Sequence, residues 1–193
     1  MKFSPGEKFN YNNQGFVYLA VIIEEVSKKS YNAFINEDVL KPIGIFHSGI
    51  YHGDHYPNNT ALGYLDNEEN SKMNKDLLPY QSGGDGGAIM SSKDMKHLWE
   101  SFFEYKIISK ELVEEFIKIQ AIVDEESDNY YGLGVWLKKD KFGLYPYLLG
   151  GDPGISFITS YHPIDKKYMF AASNTTDGVW DIFSDLAKLY KSI

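Results

Sequence analysis

The 193-residue chain contains no cysteine, and this absence excludes three kinds of chemistry. Disulfide bonds, thiolate nucleophiles and cysteine-ligated metals all require the thiol group. Positive charge is also scarce, because 19 lysines and arginines are outnumbered by 27 aspartates and glutamates, for a formal net charge of −8. Without a basic stripe to neutralise phosphates, we expect neither nucleic acid nor an anionic lipid surface as a partner.

Long apolar runs are missing too. The longest run, Phe16–Ile23, has eight residues, whereas a helix that crosses a bilayer needs about 20. The first nine residues, MKFSPGEKF, have no apolar core of the kind found in signal peptides. The chain as given is therefore expected to be soluble, and cytoplasmic as it stands.

What the chain does contain is enough for a core, with 43% hydrophobic and 16% aromatic residues. Its pattern changes character once. Residues 1–127 read as a helical and loop region, and residues 128–193 read as an antiparallel sheet followed by a C-terminal helix. The predicted fold class is α+β, with the C-terminal helix packed on the sheet.

The first region contains four helical patterns. The first is an apolar stripe that should end near Lys29–Ser30, formed by Phe16, Leu19, Ala20, Ile23 and Val26. A second helix, YNAFINEDVL, should stop before Pro42. After an irregular stretch over 44–87, SSKDMKHLWESFF predicts a helix capped by Ser91 or Ser92. SKELVEEFIKIQ predicts another, capped by Ser109.

The second region has short aromatic and β-branched segments separated by turn residues. They are YYGLGVWLKKD, YPYLLGG, ISFITSYHP and KKYMFAASN. Their close spacing predicts an antiparallel meander. The last segment, DGVWDIFSDLAKLY, carries a helical stripe of Val179, Ile182, Phe183, Leu186 and Leu189 that should lie on the sheet.

Several short motifs occur in a characteristic order. They are Pro5-Gly6, Phe9, Tyr11-x-Asn13, Gly15-Phe16, Pro42-Ile43-Gly44, ALGY, GGDGGAIMSSKDMKHLW, LLGGDPGISFITSYHP and AASN. In this order they resemble the serine β-lactamase and penicillin-binding-protein superfamily, and within it the branch of class C β-lactamases, DD-peptidases and esterases. The resemblance covers nearly the whole chain and implies a partial β-lactamase/transpeptidase-like fold with no cofactor.

The resemblance also implies roles for particular residues. Tyr11 would pass protons to the leaving group, which requires nearby cationic lysine to lower its pKa, and Asn13 would orient an acyl amide. Gly150 and Gly151 would form the opposite wall, with the Gly151 N–H serving an oxyanion hole. Leu148 stands where the branch usually has lysine, histidine or another polar group, so a substrate carboxylate lacks its usual partner there.

The nucleophile of that superfamily, a Ser-x-x-Lys pair, does not occur in the sequence, because no serine has a lysine three positions later. In the superfamily this pair precedes Tyr-x-Asn by many tens of residues. The chain is therefore expected to be a C-terminal fragment of a serine hydrolase, inactive alone, whose parent the resemblance allows to be extracytoplasmic. The alternative is a non-catalytic binding or structural remnant of the fold.

Partners follow from the same interpretation. We expect a small-molecule or peptide substrate for the complete protein, and either a homo-oligomer or a missing N-terminal segment as the protein partner.

Other motifs have simpler interpretations. The cluster His47, His52, Asp54 and His55 would supply zinc ligands, but no helical spacing fixes them, and a solvated loop is favoured. GGDGG is a tight turn rather than a phosphate cradle, since it lacks the lysine and the preceding strand. Asp152 is expected in a turn. The three tryptophans are expected in the core.

Overall fold

The computed structural model describes residues 3–4, 6–51, 55–65, 72–74, 83–182 and 185. The chain divides into two compact units that interleave along the sequence. Unit 1 comprises 1–60, 79–115 and 121–123, and unit 2 comprises 61–78, 116–120 and 124–193. From the sequence, the chain was divided after residue 127 by its predicted secondary structure. That division stays a prediction.

Helix α1, Asn13–Ser27, begins unit 1. The side chain of Asn12 caps it by accepting a hydrogen bond from the Gln14 N–H at 2.8 Å. The helix ends at Lys28, whose left-handed φ of 58° lets its N–H return to the Glu24 carbonyl. Both ends agree with the predicted helix to within a few residues.

Of the apolar repeat predicted on this helix, Leu19 and Val26 are exposed, whereas Ala20 is buried. The reason is that α1 is apolar around most of its circumference. A periodic pattern on such a helix does not identify which side faces the core.

The second helical segment ends at Leu40, as predicted, and Pro42 lies in a 3-10 turn that follows it directly. A turn α2, Tyr31–Ala33, runs into a π-helical stretch, Phe34–Leu40, and then into a 3-10 turn, Lys41–Ile43. Pro42 occupies the first turn of the 3-10 segment, where its missing N–H costs no helical hydrogen bond. Leu40 and Ile43 consequently reach the core of unit 1 together with Ile45.

Two further helices complete unit 1. Helix α3, Ser92–Phe103, starts at the predicted Ser91 cap, whose Oγ accepts from the Asp94 N–H at 3.0 Å. Helix α4, Lys110–Phe116, follows Ser109 and is four residues shorter than its predicted segment, which ran to Gln120. Strand β1, Gly49–Ile50, pairs with β2, Ala88–Ile89, as a two-stranded antiparallel ribbon.

The main sheet is the predicted antiparallel meander, with its strands hydrogen-bonded in chain order. Its strands are β3 Ala121–Asp124, β4 Asn129–Tyr131, β5 Trp136–Asp140, β6 Gly143–Asp152, β7 Ile155–His162 and β8 Lys167–Ser173. The segment predicted as one strand, YYGLGVWLKKD, forms both β4 and β5. A tight turn separates them, closed by the Gly132 N–H on the Val135 carbonyl at 2.8 Å. Strand β3 was not predicted.

The C-terminal segment meets the sheet as expected where the structure describes it. Val179 is buried against Tyr147 and Ile158, and the ring of Trp180 joins the same cluster. Helical structure begins at Trp180. Phe183, Leu186 and Leu189 of the predicted stripe lie outside the described residues. Within the described parts of the chain, no helix is both long and apolar enough to span a membrane.

Candidate active site

Tyr11 lies at the entrance to α1, one residue before the capping Asn12. Its side chain is half exposed, and its ring centroid is 6.4 Å from that of Phe16. Asn13, the first residue of the helix, is exposed. The Asn12 side chain supplies the cap, so the start of the helix does not depend on the side chains of Tyr11 and Asn13. Both reach solvent, as a proton-transfer group and a substrate-orienting amide require.

The predicted tight turn in GGDGG packs against this same helix. An added Cβ on Gly84 would lie 2.2 Å from the carbonyl oxygen of Phe16 and 3.0 Å from the Cβ of Ala20. An added Cβ on Gly83 would approach Val17. The glycines therefore let one backbone run directly against another, which is a structural role. They support α1 just after Tyr11 and Asn13.

Gly150 and Gly151 lie near the end of β6, where that strand has a partner on one side. The registered pairing of β5 with β6 ends at Trp136 opposite Tyr147, whereas the pairing of β6 with β7 continues to Asp152. Successive backbone groups of a strand point to alternate sides. Some N–H and C=O groups of residues 148–151 therefore face away from β7, towards the side where β5 has ended.

The two glycines leave no side chain on either face of this part of β6. A Cβ on Gly150 would lie 2.4 Å from the ring of Phe157, its cross-strand partner, and one on Gly151 would lie 3.3 Å from the ring of Trp180. Gly151 is exposed, Leu149 is 41% exposed and Leu148 is half-buried. The two glycines therefore make room for the rings of Phe157 and Trp180.

Asp152 forms a turn, as predicted. It pairs with Ile155 across a two-residue connection in which Gly154 has a φ of +82°. The turn is held by a distant loop, because the Asn74 side-chain amide donates to the Pro153 carbonyl at 3.0 Å. The same loop is joined to the chain after β8, where the Asn174 side-chain amide donates to the Leu62 carbonyl at 3.2 Å.

The ALGY motif is explained by this packing. Gly63 has no room for a side chain, since an added Cβ would lie 2.5 Å from the carbonyl of Gly154. The Tyr64 N–H donates to the Asn174 carbonyl at 2.8 Å. The motif therefore fixes the tip of the β6–β7 hairpin, next to Gly150 and Gly151 in the sequence.

Tyr11 and Asn13 belong to unit 1, and Gly150 and Gly151 belong to unit 2. That the two pairs face each other across one cleft stays a prediction.

The remaining candidates are structural where they are described. Trp99 is buried and stacks on Phe103, with ring centroids 6.3 Å apart. Trp136 stacks on Tyr147 at 6.2 Å. Of the histidine cluster, His52 and Asp54 lie outside the described residues. Among those that are described, no three His, Asp or Glu side chains come together as a metal site.

Sequence reasoning missed one buried ionisable cluster at the other end of the sheet. His162 and Asp140 are both nearly inaccessible to solvent, with Nδ1 and Oδ2 4.0 Å apart. Tyr145 stacks on His162 with ring centroids 3.8 Å apart. Burial lowers the pKa of His162, although the neighbouring Asp140 acts in the opposite direction. Burial disfavours the charged form of Tyr145 as well, and for a phenol this raises the pKa, to about 12. No periodicity in the sequence indicates which histidine is buried.

Comparison with known proteins identifies the family. The family model described as Beta-lactamase matches residues 1–180. The chain belongs to this family. A penicillin-binding protein from Bacillus halodurans has a similar crystal structure, with a TM-score of 0.90 and 31% sequence identity, over 98% of this chain and 58% of that one.

Curated relatives carry related names. The putative penicillin-binding protein PbpX of Bacillus subtilis strain 168 is 27% identical over 90% of this chain and 42% of its own length. Protein flp of Staphylococcus aureus strain MRSA252 is 29% identical over 60% of this chain and 20% of its own length. The chain thus spans less than half the length of these two relatives.

Proposed function

We propose that this chain is the C-terminal part of a β-lactamase-like serine hydrolase, and that it has no turnover by itself. The complete protein would hydrolyse an amide, ester or β-lactam carbonyl through an acyl-enzyme. The chain would supply the Tyr11–Asn13 wall and the Gly150–Gly151 wall. The serine and its lysine would come from a Ser-x-x-Lys segment, which this sequence does not contain.

The proposed reaction has two steps. In the first, the serine Oγ bonds to the substrate carbonyl carbon, and the C–N or C–O bond to the leaving group breaks. The serine proton passes to the lysine, and the leaving group takes up a proton relayed by the Tyr11 hydroxyl. In the second, water releases the acyl group as a carboxylic acid and restores the serine.

The observation that carries the proposal is the end of β6. Residues 148–151 continue β6 beyond the last residue that pairs with β5, so a substrate amide could lie along this edge. The side chains there are Leu148 and Leu149, which offer no charge. Recognition at this wall would rest on backbone groups and apolar contact, and it would favour substrates without a carboxylate at that position.

The test compares the chain with a complemented enzyme. The purified chain is incubated with a fluorescent penicillin and with an uncharged amino-acid ester, and is then analysed by intact mass spectrometry. We expect no covalent adduct and no hydrolysis, because removing the nucleophile leaves only residual catalysis. A stoichiometric adduct on any serine of this chain would contradict the proposal.

A second arm tests the roles of the residues. The part of the B. halodurans protein that this chain does not match is fused in front of it. The fusion should form an adduct, and Tyr11→Phe in the fusion should slow acylation by about 10²–10⁴-fold, as expected when a proton-transfer group is lost. A folded fusion that acylates equally fast with phenylalanine at position 11 would remove Tyr11 from the mechanism.

A further inference from the structure

One side of α1 carries an uninterrupted apolar surface that faces solvent. We call it the α1 stripe, and it consists of Gly15, Tyr18, Leu19, Ile22 and Val26. Tyr18 is 70% exposed, Leu19 53%, Ile22 55% and Val26 80%. Large aliphatic side chains on a globular protein are rarely this exposed as a group, and such a patch marks an interaction surface.

The opposite side of α1 is already occupied. Ala20 is buried, Phe16 and Ile23 are half-buried, and Gly84 lies against the Phe16 carbonyl. A helix that is apolar on both sides belongs in an interior, with packed elements on both of them. Among the described residues, the packing of α1 lies on this one side, and the side chains of the α1 stripe are exposed.

The spacing of the α1 stripe indicates what kind of element covers it. Its members recur at intervals of three, four, seven and eleven residues from Gly15, which is the narrow seam that one helix presents to another. An added Cβ on Gly15 would meet nothing within 4 Å. The stripe therefore opens at Gly15 into a notch where a partner helix can approach the backbone.

We infer that the α1 stripe is the docking surface for an apolar helix from the part of the β-lactamase family fold that this chain does not cover. The inference rests on the proposed function, in which that part also brings the serine. It is supported by the match to the B. halodurans protein, which takes in 98% of this chain but 58% of that one. About two fifths of that fold is therefore available to cover a helix that the present chain leaves exposed.

Charge gives a second copy of this chain no advantage as the occupant. The first turn of α1 has no acidic residue. At the other end, Lys28 is paired with Glu25 at 3.1 Å and Lys29 with Asp38 at 2.7 Å, so the positive charges there are already compensated within the chain. Neither an antiparallel nor a parallel pair of α1 helices would therefore gain charge complementarity.

The experiment measures binding, so its outcome does not depend on catalysis. The probe is the segment of the B. halodurans protein that this chain does not match, made separately and mixed with the chain at micromolar concentrations. We expect a one-to-one complex in sedimentation velocity, with amide hydrogen exchange of α1 slowed when the probe is present. The absence of a complex, or a complex without protection of α1, would overturn the inference.

Two substitutions locate the interface. Ile22→Lys and Val26→Lys place a charge on the α1 stripe without disturbing the buried side of the helix, and each should weaken binding about tenfold or more. The control is Ile164→Lys, since Ile164 is 73% exposed on the turn between β7 and β8. It should leave binding unchanged. Binding that neither stripe variant weakens would overturn the inference.

Two further outcomes separate this inference from the proposed function. If the chain alone forms a dimer that protects α1 and that the probe does not displace, the occupant is a second copy and the inference fails. If the probe binds through α1 but the folded complex forms no acyl-enzyme, the docking surface stands and the hydrolase proposal fails.

Discussion

Replacing Gly84 by alanine tests how tightly the GGDGG turn is fitted to α1. The new Cβ would lie 2.2 Å from the carbonyl oxygen of Phe16, 2.9 Å from its carbonyl carbon and 3.0 Å from the Cβ of Ala20. The two nearest atoms are backbone. The obstruction therefore cannot be relieved by rotating a side chain, and either α1 or the turn has to move.

The size of the effect follows from two opposing terms. Forcing an extra methyl group into a packed site costs typically 1–3 kcal/mol, and a backbone obstruction lies at about the upper end, 3 kcal/mol. Gly84 does not have a positive φ. Alanine therefore also gains about 0.4–1 kcal/mol by restricting the unfolded chain. The net loss is about 2 kcal/mol, which lowers a urea midpoint by about 1 M at an m-value of about 2 kcal/mol/M.

The assay is urea unfolding followed by the fluorescence of Trp99, in a background with phenylalanine at the other two tryptophans. The matched control is Gly86→Ala in the same loop, where an added Cβ meets nothing within 4 Å and φ is not positive. That variant should be unchanged or more stable by about 0.5 kcal/mol. Equal midpoints for the Gly84 and Gly86 variants would refute the close approach to α1.

Three further predictions concern other contacts. Asn36→Ala should cost about 2–4 kcal/mol, because the Asn36 amide both donates to and accepts from the backbone of Ile50, at 2.8 and 2.9 Å. Asn36→Asp keeps the acceptor but sets a carboxylate oxygen against the Ile50 carbonyl, so it should cost at least as much in the same denaturation assay. Burial lowers the pKa of His162 from its usual value of 6.5. As the pH falls below 6.5, the unfolded chain therefore binds more protons than the folded chain, and the free energy of unfolding should decline. His162→Gln should flatten this dependence, and an unchanged slope would assign it to other groups. Spin labels at Asn13→Cys and Leu149→Cys, in a chain free of other cysteines, should give one narrow, short distance distribution if the proposed walls face each other, whereas a long or broad one would separate them.

Local chemistry made part of this structure predictable. Ser91 is both a good cap and the residue before an apolar repeat, so the start of α3 could be placed from the sequence. The turn residues between the strands fixed the meander in the same way. The π-helical path to Pro42 could not be foreseen, because it depends on Leu40 reaching the core rather than on local preference. The apolar repeat of α1 did not identify which side of the helix is buried, because the helix is apolar in nearly every direction.

For the site, the sequence located the segments but left their relations open. Tyr11 was recognisable because Tyr-x-Asn precedes an apolar helix as in the family it resembles, and Gly150–Gly151 because they stand directly before Asp-Pro-Gly in the segment that resembles the family's active-site strand. The reason for Gly63 appeared only with the fold, since the atom that crowds it belongs to Gly154, far along the chain. Contacts between distant segments leave no periodic signature, and the pairing of His162 with Asp140 is another example.

The loop that holds the β6–β7 hairpin has a consequence for synthesis on the ribosome. The hydrogen-bond partner of the Leu62 carbonyl is Asn174, which is synthesised 112 residues later, and that of the Asn74 amide is Pro153, which is synthesised 79 residues later. At about 5–20 residues per second, translation separates Leu62 from Asn174 by roughly 6–22 s. During that interval the Leu62 carbonyl must remain hydrated. The hairpin tip beside Gly150 and Gly151 can therefore be fixed in place only late in translation. Slowing elongation should prolong the time during which proteases can cleave it.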